Sequence, residues 1–321
     1  MMTAATTSRS LSAAPTRRAE VGWIDLAWLV WRQHRLLIAF TTLGVAIMSG
    51  LLWWDASDLY HASAYPLLLN MFVPAATGVA GVFWGAPLLA GEYEQKTNLL
   101  VWSQDTSRMR WLTAKLVLLG VVAAILWGII GLADTTFIHA INAATPSRPD
   151  QYGPWLFAGF ESWIPLQVIY ALFGFALGLA ASAVLRRTVP AMAATLVLFT
   201  VARFAIGLWR PTFLTPLRYV TAPAVDSIGA PGVNSLVIGE SYTVDAAGTR
   251  LNVPQSCFNA DTGVTNVACA RSHGVVATYV DYQPASRLLT FHLIEFGIFA
   301  VLTAALITIT VLWVRKNRVI A

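Results

Sequence analysis

The sequence predicts an all-α integral membrane protein with six transmembrane helices, an N-terminal interfacial elbow helix and an external, partly β insert before the last helix. Three observations predict it. Of the 321 residues, 57% are hydrophobic and 12% charged, with a mean hydropathy of +0.63, whereas soluble chains carry roughly 25% charged residues. Apolar runs such as 65–90, which contains no charged residue, are long enough to cross a bilayer, since a span needs roughly 17 to 25 residues at about 1.5 Å rise each. One long stretch, 210–287, breaks the apolar pattern with Pro, Gly, Ser and β-branched residues.

Taken in order, residues 1–19 are rich in Ala, Thr, Ser and Arg without an apolar run, so they read as a disordered cytoplasmic tail, not as a signal peptide. Residues 20–35 follow, with Ile24, Trp28 and Trp31 at helical spacing and Trp23 beside them. Three tryptophans next to Arg32, His34 and Arg35 suit the headgroup layer, where an indole finds both an apolar surface and a polar partner. An interfacial elbow is the reading, and an extension of the first span is the alternative. The spans then cover 36–54, 65–90, 112–133, 162–185, 189–208 and 289–314.

Fourteen of the 21 basic residues fall in the tail, the elbow, the loop after span two with the first turn of span three, the loop after span four, and the C-terminus. The positive-inside rule therefore places both termini in the cytoplasm of a multi-pass protein of the cytoplasmic membrane. These cations lie where anionic headgroups are, so the net charge of +5 points to membrane lipids and not to nucleic acid. The insert, 210–287, holds short apolar pieces between turn formers such as Asp245 and Gly248, the pattern of a small β element. It also holds the only cysteines, Cys257 and Cys269. An oxidising external face favours a disulfide between them, with two free thiols as the alternative.

Several chemistries have no basis here. The only lysines are Lys96, Lys115 and Lys316, and none follows a glycine, so the chain lacks a phosphate-cradling GxxxxGK[ST] loop and is not expected to hydrolyse ATP itself. The five histidines are scattered without an HExxH pair or cysteine partners at ligand spacing, so no metal site is expected. No GxSxG elbow is present either.

The charged island 91–111, GEYEQKTNLLVWSQDTSRMRW, lies between two apolar runs and so forms the loop after span two. Glu92, Glu94, Thr97, Trp102, Gln104, Arg108, Trp111 and Lys115 resemble the pattern of a type-2 class ABC transporter permease: two acidic residues, a threonine, then W-x-Q, R, W and K. Tyr282, Gln283, Pro284, Ala285, Ser286 and Arg287, then Glu295, resemble the segment that opens the last span in many bacterial members. WRQHR at Trp31 to Arg35 resembles the end of their elbow helix. Lys96 departs from the pattern, which has glycine before the threonine.

The resemblance covers the chain after residue 20 and makes 20–318 one transmembrane permease domain. It implies that the island is a coupling helix docking on a separate ABC ATPase subunit through Glu92, Glu94, Thr97, Trp102, Gln104 and Arg108. It also implies a second permease chain, as homo- or heterodimer, with ATP and Mg held by the ATPase and no cofactor on this chain. The rival class is a resistance or sensor protein that binds a ligand through the insert.

Two features inside the spans add to this. Pro66, Pro74 and Pro87 alternate with Gly78, Gly81 and Gly85 in span two, and Gly174 and Gly178 make a GxxxG spacing in span four. Such residues permit kinks and close helix contact, within the chain or between copies. Arg203 is the one arginine placed inside a span, where a lone charge costs roughly 2.5 to 3.5 kcal/mol. Glu295, at nearly the same depth on span six, is its expected partner.

Overall fold

The computed structural model describes residues 22–57, 65–95, 108–144, 153–221, 232, 234–259 and 264–316. The expected tail, 1–19, lies outside them, as do the island residues 96–107. Among the described residues six helices are long and apolar enough to cross a membrane: Trp23–Trp54, Phe72–Glu94, Met109–Ala144, Ile164–Leu185, Thr188–Thr212 and Ala285–Lys316.

The first helix, α1 (Trp23–Ser57), corrects the sequence reading, because elbow and first span run together as 35 unbroken residues. Neither glycine nor proline occurs between Trp23 and Leu43 to interrupt the backbone ladder. At about 1.5 Å per residue the helix spans about 52 Å, well beyond a hydrocarbon core of about 30 Å. Its Trp23, Trp28 and Trp31 stay 55%, 57% and 50% exposed, so the aromatic belt is present although the bend is not. The opposite stripe, Leu26, Val30, Ile38, Val45 and Leu52, is buried at helical spacing against α4 (Arg108–Ala144).

The second span is built from α2 (Tyr65–Val79), a π-helical segment (Ala80–Gly85) and α3 (Ala86–Glu94). Its wide turn lies against α6 (Ile164–Leu185), and the glycines explain how. A Cβ on Gly178 would come 2.2 Å from the Gly81 carbonyl oxygen, and one on Gly85 would come 2.3 Å from that of Phe175. The GxxxG spacing of span four thus packs on the Gly81/Gly85 spacing of span two within one chain, backbone on backbone. Just past the contact, the Ser182 hydroxyl accepts the amides of Leu89 (3.0 Å) and Ala90 (2.6 Å).

Helix α6 is the central post, touched by α2, the π segment, α3, α4, α7 (Thr188–Trp209) and α9 (Leu288–Lys316). Before it stands α5 (Phe157–Glu161), a short helix not foreseen from the sequence. One apolar core joins α1, span two, α4 and α6; a second, aromatic core of Phe160, Tyr170, Phe173, Phe199, Phe291 and Phe299 joins α5, α6, α7 and α9.

The insert caps the end of the bundle where α7 stops and α9 starts. Its sheet has the order β1-β6-β2-β3, with β1 (Leu217–Thr221) antiparallel to β6 (Ala277–Gln283) and β6 antiparallel to β2 (Leu236–Val244); β3 is Arg250–Leu251. The register slips between Ile238 and Tyr242, where Gly239 takes φ +71°, the left-handed conformation a bulge requires. A second pair, β4 (Phe258–Asn259) with β5 (Val264–Thr265), leads into α8 (Val267–Ser272). Cys257 and Cys269 are joined across 5.4 Å between Cα atoms, which ties α8 to the turn before β4. Gln283 and Arg287 then bond the carbonyls of Leu214 and Thr215 at 2.7 and 2.8 Å, so the two chain crossings between sheet and bundle hold each other.

Candidate functional site

Two stations of buried charge stand at opposite ends of the bundle. At the island end, the Lys115 ammonium is fully buried, bonded to Glu92 and 4.5 Å from the Trp111 ring centroid. Three residues of the island motif therefore close on one another where span two meets α4. Arg186 turns the chain between α6 and α7 with φ +55°, its guanidinium 5.6 Å from the Tyr93 ring. The Glu94 carboxylate accepts the Thr188 amide at 3.0 Å and the Thr188 hydroxyl at 2.7 Å. Both acids of the motif thus point into this chain. Arg108 opens α4, but its side chain lies outside the described residues, as do Thr97, Trp102 and Gln104.

At the sheet end the expected pairing is corrected. Arg203 bonds Glu161, while Glu295 is taken by Arg210, whose Nε and Nη2 donate to its two oxygens at 2.7 and 3.0 Å. Tyr170 donates its hydroxyl to the same carboxylate at 2.6 Å, and Arg210 also reaches Glu161 at 3.4 Å. The guanidiniums lie on aromatic faces, Arg203 3.4 Å from the Tyr170 centroid and Arg210 3.8 Å from that of Phe160.

The cause of the difference is register. Arg203 and Arg210 are seven residues apart, about two helical turns, so they share a face, and the turn Arg210–Thr212 continues α7 instead of leaving the bundle. In the sequence Arg210 opens the external insert, outside span five, and Glu161 carries no helical signal, because a five-residue helix shows no periodicity. The one usable signal was a lone carboxylate directly before an apolar span. Two guanidiniums against two carboxylates leave the cluster neutral, which is how four ionised groups persist with Glu161 and Glu295 only 2% and 1% exposed.

Two cavities open in this half of the bundle, the first bordered by the network itself. One, of about 630 Å³, lies between span two and α7; Pro74, Gly78, Phe83, Phe199 and Phe204 supply apolar walls, and Thr200, Arg203 and Arg210 the polar edge. The other, of about 340 Å³, is lined by His139, Asn142, Ser162, Trp163 and His292. His292 stacks on Trp163 at 4.9 Å and donates from Nε2 to the Phe160 carbonyl at 3.0 Å. In the insert, His273 stands beside Cys257 and Cys269, but those sulfurs are bonded to each other and so offer no thiolate to a metal.

Residues 26–210 match the family model described as ABC-2 membrane transporter related. No curated protein and no solved structure matches the chain. The matched stretch runs from the first span through Arg210, more than half of the sequence, and takes in the island, both glycine pairs and every network residue except Glu295. The chain belongs to the ABC-2 membrane transporter related family, as a permease-type membrane component.

Proposed function

We propose that this protein is the membrane-spanning subunit of an ATP-driven exporter. It works beside a second permease chain and is energised by two separate ABC ATPase subunits, which hold ATP and Mg. The observation that carries the reading is the construction of span two. Its far end enters the island, where the acids of the motif bind it to α4 and α7, and its middle forms one wall of the groove. A displacement of the loop 96–107 is therefore delivered to the two helices between which a substrate has room. Termini and island face the cytoplasm in this account, which the distribution of Lys and Arg supports, and the sheet faces outward.

The groove suits the assignment in size and chemistry. Ligand sites have volumes of about 300 to 1,000 Å³, are mostly apolar, and carry a few fixed polar groups. Closing of the ATPase pair on ATP would drag the island and switch the groove from inward to outward access. Replacing Trp102 and Arg108 together with Ala is expected to abolish copurification of the ATPase while the permease still reaches the membrane. Ordinary solvated loop residues would each cost about 0.5 kcal/mol or less. Unchanged copurification and transport in that variant would remove the coupling assignment.

A further inference from the structure

We infer that Glu94 is a positioning residue that passes motion of the island directly to α7, acting within this chain instead of on the ATPase. The inference rests on the ATP-coupled reading above. Helix α7 begins without a cap of its own, because its N-cap residue is Arg187 and makes no side-chain capping bond. An arginine has only donors, whereas the free amides of a first turn need an acceptor. Glu94 provides it from another span, with both oxygens on Thr188 and a negative charge at the positive end of the helix dipole.

Glu94 is also the last residue of α3, two positions before the loop that would meet the ATPase. Between its ends α7 is held through one stripe only: Ala191, Thr195 and Phe199 are its buried residues, while Val189, Val197, Val201, Phe204 and Leu208 are all more than half exposed. Its charged attachments are Glu94 at one end and the Arg203 and Arg210 network at the other. A helix packed along one stripe and bound by charge at its two ends can slide on that stripe as one end is pulled, and this one forms a wall of the groove.

The test separates transmission from simple capping. Spin labels on Phe72→Cys in α2 and Leu198→Cys in α7, both exposed positions, report the distance across the groove in the full complex with its ATPase. The unmodified cap should give a shift in that distance on adding ATP with vanadate. Glu94→Ala is expected to leave hydrolysis running and remove the shift, and Glu94→Gln, which keeps an acceptor oxygen for Thr188, to retain it. Adding Arg187→Ser to Glu94→Ala gives α7 a local cap; it should recover the melting temperature but not the shift. A recovered shift in that double variant, or a full shift in Glu94→Ala, overturns the inference, Glu94 being then a cap and nothing more. Absence of any nucleotide-driven shift with Glu94 in place would instead overturn the ATP-coupled reading, and this inference with it.

Discussion

Glu295→Ala is expected to cost about 3 to 5 kcal/mol of stability, the range for breaking a buried ion pair by removing one partner. The change strips Arg210 of both short bonds, at 2.7 and 3.0 Å, and leaves the Tyr170 hydroxyl without its acceptor. Arg210, a residue only 8% exposed, cannot rehydrate in place. Arg210→Ala should be as harmful, because it strands Glu295. Replacing the pair together, Arg210→Met with Glu295→Leu, should recover most of the loss, since well-packed apolar residues commonly match or exceed a buried pair and Arg203 with Glu161 remains neutral. Thermal unfolding of the purified chain in detergent and its level in the membrane measure this. Losses that add strictly would show that the two side chains are not a unit. A double variant that regains stability but not transport would locate the polar edge of the groove in the transport step itself.

Gly178→Ala is expected to be nearly as damaging although it adds a single methyl group. Its Cβ would lie 2.2 Å from the Gly81 oxygen and 2.7 Å from the Ala86 nitrogen, and both are backbone atoms of a helix that cannot step aside alone. Overpacking by side chains costs about 1 to 3 kcal/mol; here the two helices must separate, so the upper end of that range or beyond is expected. Gly44→Ala in α1 is the control, with nothing within 4 Å of its Cβ, and should be neutral or stabilising by up to about 1 kcal/mol from helix propensity. Equal melting temperatures for the two variants would show that span two and α6 are not packed backbone to backbone.

The spans were legible because an apolar run of bilayer length has few other uses, and the charge-free stretch 65–90 did enter a membrane-capable helix. The small sheet was legible from Gly, Pro and β-branched residues crowding into one stretch. The elbow was misread since a belt of tryptophans marks depth in a membrane but says nothing of direction; only a breaker near Leu36 would have bent the chain, and none is there. Gly174 and Gly178 announced a close helix contact, yet the spacing alone could not say whether the partner was span two or a second copy. The π segment itself had no visible signature, because it arises from what α6 offers opposite Gly81 and Gly85. The charged network was half visible: Arg203 and Glu295 were both recognised as members that need partners, but depth along a span does not determine the face on which a side chain emerges. Glu161 escaped because its five-residue helix is too short for the period of about 3.6 residues to repeat.

The central claim is that this permease component is energised by a separate ATPase, and its most direct test is hydrolysis in purified material. The full chain would be isolated in mild detergent from membranes that contain its native neighbours, and vanadate-sensitive ATP hydrolysis measured across the eluted peak. The account predicts that activity coelutes with the chain, comes from an ABC ATPase present in equal number to the permease chains, and disappears in the Trp102→Ala, Arg108→Ala variant. A folded chain that elutes with neither hydrolysis nor a nucleotide-binding subunit would contradict it.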